Sequence, residues 1–515
     1  MSGVRTSVWF ATTLLFAGLF TNHAIAEDAG RAGFPQADWP TAAPEDEGMD
    51  SAALVKLIAY GKTRSFDSVL VVRHGRIVLD ASYAPYASDR PHVVKSTTKA
   101  VIGTLIALLL RDGVLDSLDH PVVDFFRDRK IENLDDRKKA ITVRHLLNMT
   151  SGLDWDEGLD GGHEQSLIDL GRSTNWVQYV LDRPMALAPG EAFYYSSGGT
   201  HLLSAIITKL TGKPASDYAN DKLFGPLGIA PPFWQRDPQG ITAGGFGLSL
   251  KPRDMARIGY LYLRGGRWGD QQVVPPDWIE TVNHATVDMR ARFEPGLRYA
   301  NLFWALPERH VFMSVGYHCQ MIMVMPQQDI VAVTTARDFC GFRKVAETVA
   351  SAVQSADALP RSPDAAASLA RAIADVAAEK EERAGAAPET AASIAGKVYN
   401  FQRNPIGLKS LGLTYAGTEL QLVWEAYRFD RLGELIRRES PIGMDGRYRR
   451  GSATEPGTPM VKGAWTDART LLVDLQTPGQ DDQRKWALTF AGSKVTLKTR
   501  VRYGQELTIE GEAFN

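Results

Sequence analysis

Ser96 and Lys99 form the only Ser-x-x-Lys in the chain, and they stand at the head of its most apolar internal run, Ala100 to Leu110. Residues three apart on a helix lie one turn from each other on the same side. A run with almost no polar face predicts a helix buried all round. Lys99 is then drawn out of water, which lowers an ammonium pKa toward a value at which the amine accepts a proton. A serine beside such an amine can be made nucleophilic at neutral pH. The first turn of a helix also carries free backbone N–H groups and the positive end of the dipole, which stabilise negative charge on an attacked carbonyl. The chemistry this spacing offers is acyl transfer.

A second stretch of the same character is Pro189-Gly190-Glu191-Ala192-Phe193-Tyr194-Tyr195-Ser196-Ser197-Gly198-Gly199, a loop dense in Gly, Ser and Tyr that leads into a helix at Leu202–Ile207. A tyrosine hydroxyl there can relay a proton if a neighbouring ammonium lowers its pKa from about 10. The plainer reading is that Tyr194 and Tyr195 cap a core. His74, beside Gly75, reads as a turn residue, and His145 lies among packing positions of a helix over 141–149. The Gly-rich run Ala243–Leu250 lacks the spacing of a phosphate loop and reads as structural. The Met-rich strand Gln320–Met325 has no second cluster of soft ligands and reads as core. No metal and no cofactor is expected.

The elements that must hold these residues can be read around them. Two β-branched runs, Ser68–Arg73 and Arg76–Leu79, flank His74-Gly75 as a hairpin. The helix opened by Ser96 stops at Arg111-Asp112-Gly113, a basic last turn followed by glycine. Val311–Ser314, Gln320–Met325 and Ile330–Thr334 alternate as strands, followed by a closing helix over 345–350. At 515 residues the chain predicts two or three domains, and a net charge of -2 gives no electrostatic case for nucleic acid or an anionic membrane. Arg5, the apolar stretch Val8–Phe20 and Ala24-Ile25-Ala26 stand in the order of a secretory signal, cleaved after Ala26, which predicts a bacterial periplasmic or secreted protein with no stable membrane insertion. Residues 27–358 then form the chemical domain. Ser362-Pro363 opens an Ala-rich helix running to about Arg383, so 359–393 reads as a solvated or semi-rigid linker. In 394–515 short strands recur between turn residues as a small β barrel or sandwich, whose polar residues look like a solvated surface.

Taken together, Ser96-Thr97-Thr98-Lys99, the Tyr195-Ser196-Ser197 loop and the Gly316 turn resemble, in order, the motifs of serine β-lactamases and penicillin-recognising enzymes. Tyr-Ser-Ser stands where the class C and esterase branch has Tyr-x-Asn. With Gly316-Tyr317-His318-Cys319-Gln320 it is most similar to the 6-aminohexanoate-dimer hydrolase-like group, over roughly residues 45–355. The resemblance implies an α+β fold: an antiparallel sheet flanked by helices, with a helical subdomain and the site between them. It implies that Ser96 forms an acyl-enzyme, that Lys99 and Tyr195 share the proton transfers, and that the N–H groups of Ser96 and Tyr317 form the oxyanion hole. Gly316, Ser197 and His318 are the further candidates for the oxyanion and substrate side. Ser314-Val315-Gly316 stands where Lys-Thr-Gly or His-Thr-Gly is usual, so a β-lactam carboxylate lacks its customary grip.

The chain therefore reads as a secreted serine hydrolase of small esters or amides. A D-alanyl-peptide peptidase, penicillin-binding protein or weak β-lactamase is the alternative, and an inactive scaffold with a partner-binding β domain a third. Substrate identity and oligomeric state are not legible. Cys319 and Cys340 are the only cysteines. Alternating strands that set residue 320 opposite about 335 bring them to one end of the sheet, where either a bridge or two separate thiols fits.

Overall fold

A computed structural model describes residues 33–35, 38–159, 164–291, 293–381, 387–417, 419–427, 434–453, 457–480, 483–501 and 505–513; the secretory segment at 1–26 lies outside them. The first of two large sheets has eight strands: β1 (Phe66–Arg73), β2 (Arg76–Ser82), β3 (Val287–Asp288), β4 (Arg298–Ala300), β5 (Phe303–Leu306), β6 (Val311–Gly316), β7 (Gln320–Met325) and β8 (Ile330–Ala336). Their order is β2-β1-β8-β7-β6-β5-β4-β3, with every neighbour antiparallel. The hairpin at His74-Gly75 forms because both residues take a positive φ, 49° and 77°. Every residue of β1, β6, β7 and β8 is buried. That requires cover on both faces, and it explains why these strands read as continuous apolar runs.

Helices supply the cover. They are α1 (Ser51–Thr63), α2 (Thr97–Arg111), α3 (Ser197–Thr211), α4 (Pro252–Leu263), α5 (Phe342–Ala352) and α6 (Pro363–Ala377). α4 lies on β7, β8 and β1, α2 on β6 and β7, and α1 packs with α5 and β1. α3 touches α2 on one side and short helices (Val143–Leu147, Trp176–Leu181, Ala215–Ala219) on others, making the helical subdomain. The expected helix over 141–149 is only Val143–Leu147, closed by Asn148 and a positive φ at Met149. The solvated linker is corrected. α6 packs against α1 and β2, Leu369 is 6% exposed, and Val376 O accepts from Ala84 N at 2.8 Å. Its small alanines allow close approach, and the helix ends at Ala377. No described helix is long and apolar enough to cross a membrane.

The second sheet has ten strands: β9 (Val398–Phe401), β10 (Leu408–Ala416), β11 (Glu419–Tyr427), β12 (Leu435–Pro441), β13 (Arg449–Arg450), β14 (Met460–Trp465), β15 (Thr470–Gln476), β16 (Arg484–Ala491), β17 (Lys494–Arg500) and β18 (Glu506–Ala513). Their order is β12-β11-β10-β9-β18-β17-β16-β15-β14-β13. The two end strands approach each other, with Ser452 N donating to Glu439 O at 3.1 Å and Ser440 Oγ to Arg449 O at 3.2 Å. The result is a near-closed barrel around its own core, including Tyr399, Leu411, Leu422, Trp424, Trp486 and Leu497. It rests on the first domain beside the segment that leads to Ser96: Val93 N donates to Gly479 O at 2.8 Å.

Candidate active site

Ser96 caps the N-terminus of α2, held between a left-handed Lys95 (φ 48°) and two threonines that staple the helix start to its surroundings. Thr97 Oγ1 donates to Gln320 O at 2.7 Å, and Thr98 Oγ1 accepts from Leu248 N at 3.3 Å. Residues 97–109 are all buried, and Lys99 is 1% exposed. Its Nζ lies 2.9 Å from Ser96 Oγ, 2.9 Å from Ser197 Oγ and 2.8 Å from Gly245 O. Burial lowers the Lys99 pKa to about 8, against the charge of Glu157, which pulls it up.

Ser197 opens α3, which is capped by Ser196 Oγ accepting from Gly199 N at 3.0 Å. Its hydroxyl donates to Glu157 Oε1 at 2.6 Å and its N–H to Glu157 Oε2 at 2.7 Å, where Trp155 Nε1 also donates at 2.8 Å. A carboxylate at a helix N-terminus is well placed electrostatically. With its own proton committed to Glu157, Ser197 can only accept from Lys99, and Gly245 O is an acceptor by nature. A neutral Lys99 amine thus has both N–H bonds spoken for and its lone pair left facing Ser96. Tyr195 is 8% exposed, with its ring 4.6 Å from Lys99 Nζ and beside Trp304. Burial, then Glu157, raises its pKa, and contact with the Ser96 hydroxyl only partly offsets this. Tyr194 is 50% exposed and stands apart.

The turn after β6 closes the other side. β6 is an interior strand, yet β5 pairs only with Val311–Met313, so the Ser314–Gly316 end is paired on its β7 side alone and Val315 and Gly316 line the cavity. A Cβ on Gly316 would come within 2.2 Å of Val94 O, so only glycine lets this strand end lie against the segment just before Ser96. Gln320, fully buried, straps the turn: its Nε2 reaches Tyr317 O at 3.1 Å and Ala336 O at 2.6 Å. Cys319 and Cys340 are bridged, with Cα atoms 5.9 Å apart, and the expected register holds, Met321 opposite Thr334. Tyr317 lines the cavity with Ser96, Tyr195, Ser197 and Gly316, whereas His318 does not. Its φ of 60° turns the ring onto Tyr317 and Phe339, 3.9 and 5.0 Å between centroids.

Sequence reasoning missed Glu157 and Gly245. Glu157 lies in a long connection between Leu153 and the helix Gln165–Arg172 that carries no motif of its own. Gly245 was read as structural, and its carbonyl, not its side, does the work; a Cβ there would meet Ser197 Cβ at 2.6 Å. His145 forms a capping box with Thr142 at its own helix start, away from this cluster. The barrel also enters the site. Tyr427, Arg438 and Arg484 line the same cavity of about 2070 Å³ as Ser96, so the polar residues of that domain are not all on an open solvated surface. Among the described residues, no cluster of His, Cys, Asp and Glu could hold a metal ion.

The chain is similar to several known proteins. A 6-aminohexanoate-dimer hydrolase of Paenarthrobacter ureafaciens is 25% identical over 288 residues, covering 52% of this chain and 71% of its own. Esterase EstB of Burkholderia gladioli is 25% identical over 179 residues, 31% of this chain and 44% of its own. The octameric penicillin-binding protein homologue from Pyrococcus abyssi superposes over 89% of this chain and 99% of its own, with a TM-score of 0.45 and 16% identity. The family model described as Beta-lactamase matches residues 54–355, a span that takes in more than half the chain and every group gathered around Ser96 from Lys99 to Tyr317, and the chain belongs to that family.

Proposed function

We propose that the protein is an exported serine hydrolase of small esters or amides working through a Ser96 acyl-enzyme. The observation that carries this reading is the buried Lys99 amine bonded at once to Ser96, Ser197 and Gly245. Two of these partners hold its N–H bonds, which leaves the lone pair for the Ser96 proton. As Ser96 Oγ attacks the carbonyl carbon, that proton passes to Lys99, and the carbonyl π electrons move to oxygen, where the N–H groups of Ser96 and Tyr317 receive the charge. Collapse expels the alcohol or amine, which takes a proton back from Lys99 through the Tyr195 hydroxyl. Water then repeats the cycle on the acyl-enzyme with Lys99 again as base. Assigning the base to Lys99 and the shuttle to Tyr195 follows from their opposite shifts, one lowered toward neutrality and the other raised and so kept as a neutral phenol. Relatives that hydrolyse an ester and a 6-aminohexanoate dimer agree with a small acyl substrate.

The test is a panel of short acyl p-nitrophenyl esters and linear amides against the mature protein, with a fluorophosphonate probe located by mass spectrometry. Turnover together with labelling at Ser96 is expected. Labelling at a different serine, or turnover surviving in Ser96→Ala, overturns the assignment.

A further inference from the structure

We propose that the inner mouth of the C-terminal barrel is the anion-binding end of the substrate cleft, taking the carboxylate of an elongated ester or amide whose scissile bond lies at Ser96. This rests on the hydrolase reading above and adds the class of substrate.

The strand registers carry the argument. Directly opposed residues of antiparallel strands place their side chains on one face. Arg438 stands opposite Trp424 and Arg484 opposite Leu475, and both partners belong to the buried core of the barrel. Both arginines therefore lie on the inner face, and both line the cavity that holds Ser96. Trp486 lies two residues along the same face from Arg484, and its ring meets that of Trp424 edge-on at 6.4 Å. Trp486 is 1% exposed, and its indole N–H has no partner among the described residues. Nor does Arg484 have an ion pair or an acceptor among them.

Guanidinium groups donate hydrogen bonds and accept none. No described barrel residue lining the cavity is acidic. Such a wall favours an anion and repels a cation, and the planar fork of arginine matches a carboxylate. The cavity, about 2070 Å³, exceeds the roughly 300–1,000 Å³ of an ordinary small-molecule site, so a chain can reach from the serine to the arginines. The barrel is also fixed in place. Gly479 O binds Val93 N three residues before Ser96, and a Cβ on Gly479 would meet Pro91 O at 2.4 Å.

The experiment uses the full mature chain and p-nitrophenyl monoesters of α,ω-dicarboxylic acids of increasing length, each paired with its methyl-capped diester. At one length the free acid is expected to exceed the capped ester tenfold or more in kcat/KM, chiefly through KM. In R438Q/R484Q that ratio should fall to about one, and in R438K/R484K part of it should remain. A second arm titrates the unreactive dicarboxylate into S96A and follows tryptophan fluorescence, where saturable quenching is expected and its loss in the Gln pair on that background. Equal kcat/KM for free and capped esters at every length overturns the proposal, as does tighter binding of a phosphate-ended analogue than of the carboxylate. If no ester is turned over and Ser96 is not labelled, the hydrolase reading fails by itself. The fluorescence arm then decides alone: saturable carboxylate binding lost in the Gln pair upholds the anion site, and its absence overturns it.

Discussion

The two sheets of this molecule bury their cores in opposite ways. In the first, β1 and β6 to β8 are inside on both faces, and a polar group among them stands out against an apolar background. In the barrel, exposure alternates along β11 and β16, so that inner and outer positions interleave residue by residue. Polar residues are frequent there for the ordinary reason that one face meets water. A charged side chain on the inner face is camouflaged by its neighbours. Chemistry is easy to see in the first setting and hidden in the second, where only strand parity reveals it.

The largest effect that can break this comparison belongs to the conspicuous pair. Ser96→Ala should fold and lose acyl-ester turnover by at least about a thousandfold, with labelling abolished. Lys99 and Tyr195 should behave as one unit with it: losing either costs orders of magnitude in kcat, and losing both hardly more. Stopped-assay kinetics of the singles and the double settle this, since a double loss equal to the product of the singles would contradict a shared relay. With Lys99 as base, kcat/KM should rise with pH through about 8 as the amine loses its proton. A profile flat across that range removes Lys99 from the role.

Burying that lysine also has a thermodynamic sign. Its pKa in the fold, about 8, is below its ordinary 10.5, so between those values the unfolded chain binds more protons. The cost to stability is complete below about pH 8 and fades as pH rises toward 10.5. Lys99→Met, which removes the charge and keeps the volume, should therefore stabilise the inactive protein by on the order of 2 kcal/mol at pH 7. The gain should shrink when denaturation is followed at pH 10. A variant less stable than wild type at pH 7 would mean that the bonds to Ser96, Ser197 and Gly245 outweigh desolvation.

This contrast also explains what could be read in advance. The helix opened by Ser96, the three strands after residue 311 and the register that brings Cys319 to Cys340 were legible because continuous apolar runs and a fixed pleat leave few alternatives. Glu157 was not, since its place at the start of α3 depends on a long loop that local patterning does not specify. Gly245 acts through a carbonyl, which every residue has. α6 was misread as solvated because alanine-rich faces can pack closely without large apolar side chains. Arg438 and Arg484 escaped because composition was weighed without asking which face each residue occupies.

A middle-sized effect comes from the disulfide, which ties the Tyr317 turn to the loop around Phe339. Closing a loop with a sequence separation of 21 contributes about 3 kcal/mol in the chain-entropy picture. The C319S/C340S variant should lose stability of that order in urea titration, and kcat should fall while Gln320 still straps the turn. Unchanged kcat in a destabilised protein would separate the bridge from the oxyanion geometry.

The smallest expected effect is the sharpest control on the comparison. Arg437 is the immediate neighbour of Arg438, the same residue type on the same strand, but with opposite parity. It stands opposite Glu425 on the outer face, its side chain 64% exposed, paired loosely with Glu439 at 3.7 Å. An exposed pair of that kind is worth well under 1 kcal/mol. Arg437→Gln should therefore shift the urea midpoint by an amount near the error of the measurement and leave the ratio of free to capped ester kcat/KM where wild type has it. If it lowered that ratio as much as Arg438→Gln does, the preference would come from the barrel's overall charge, and the inner face would have no special standing.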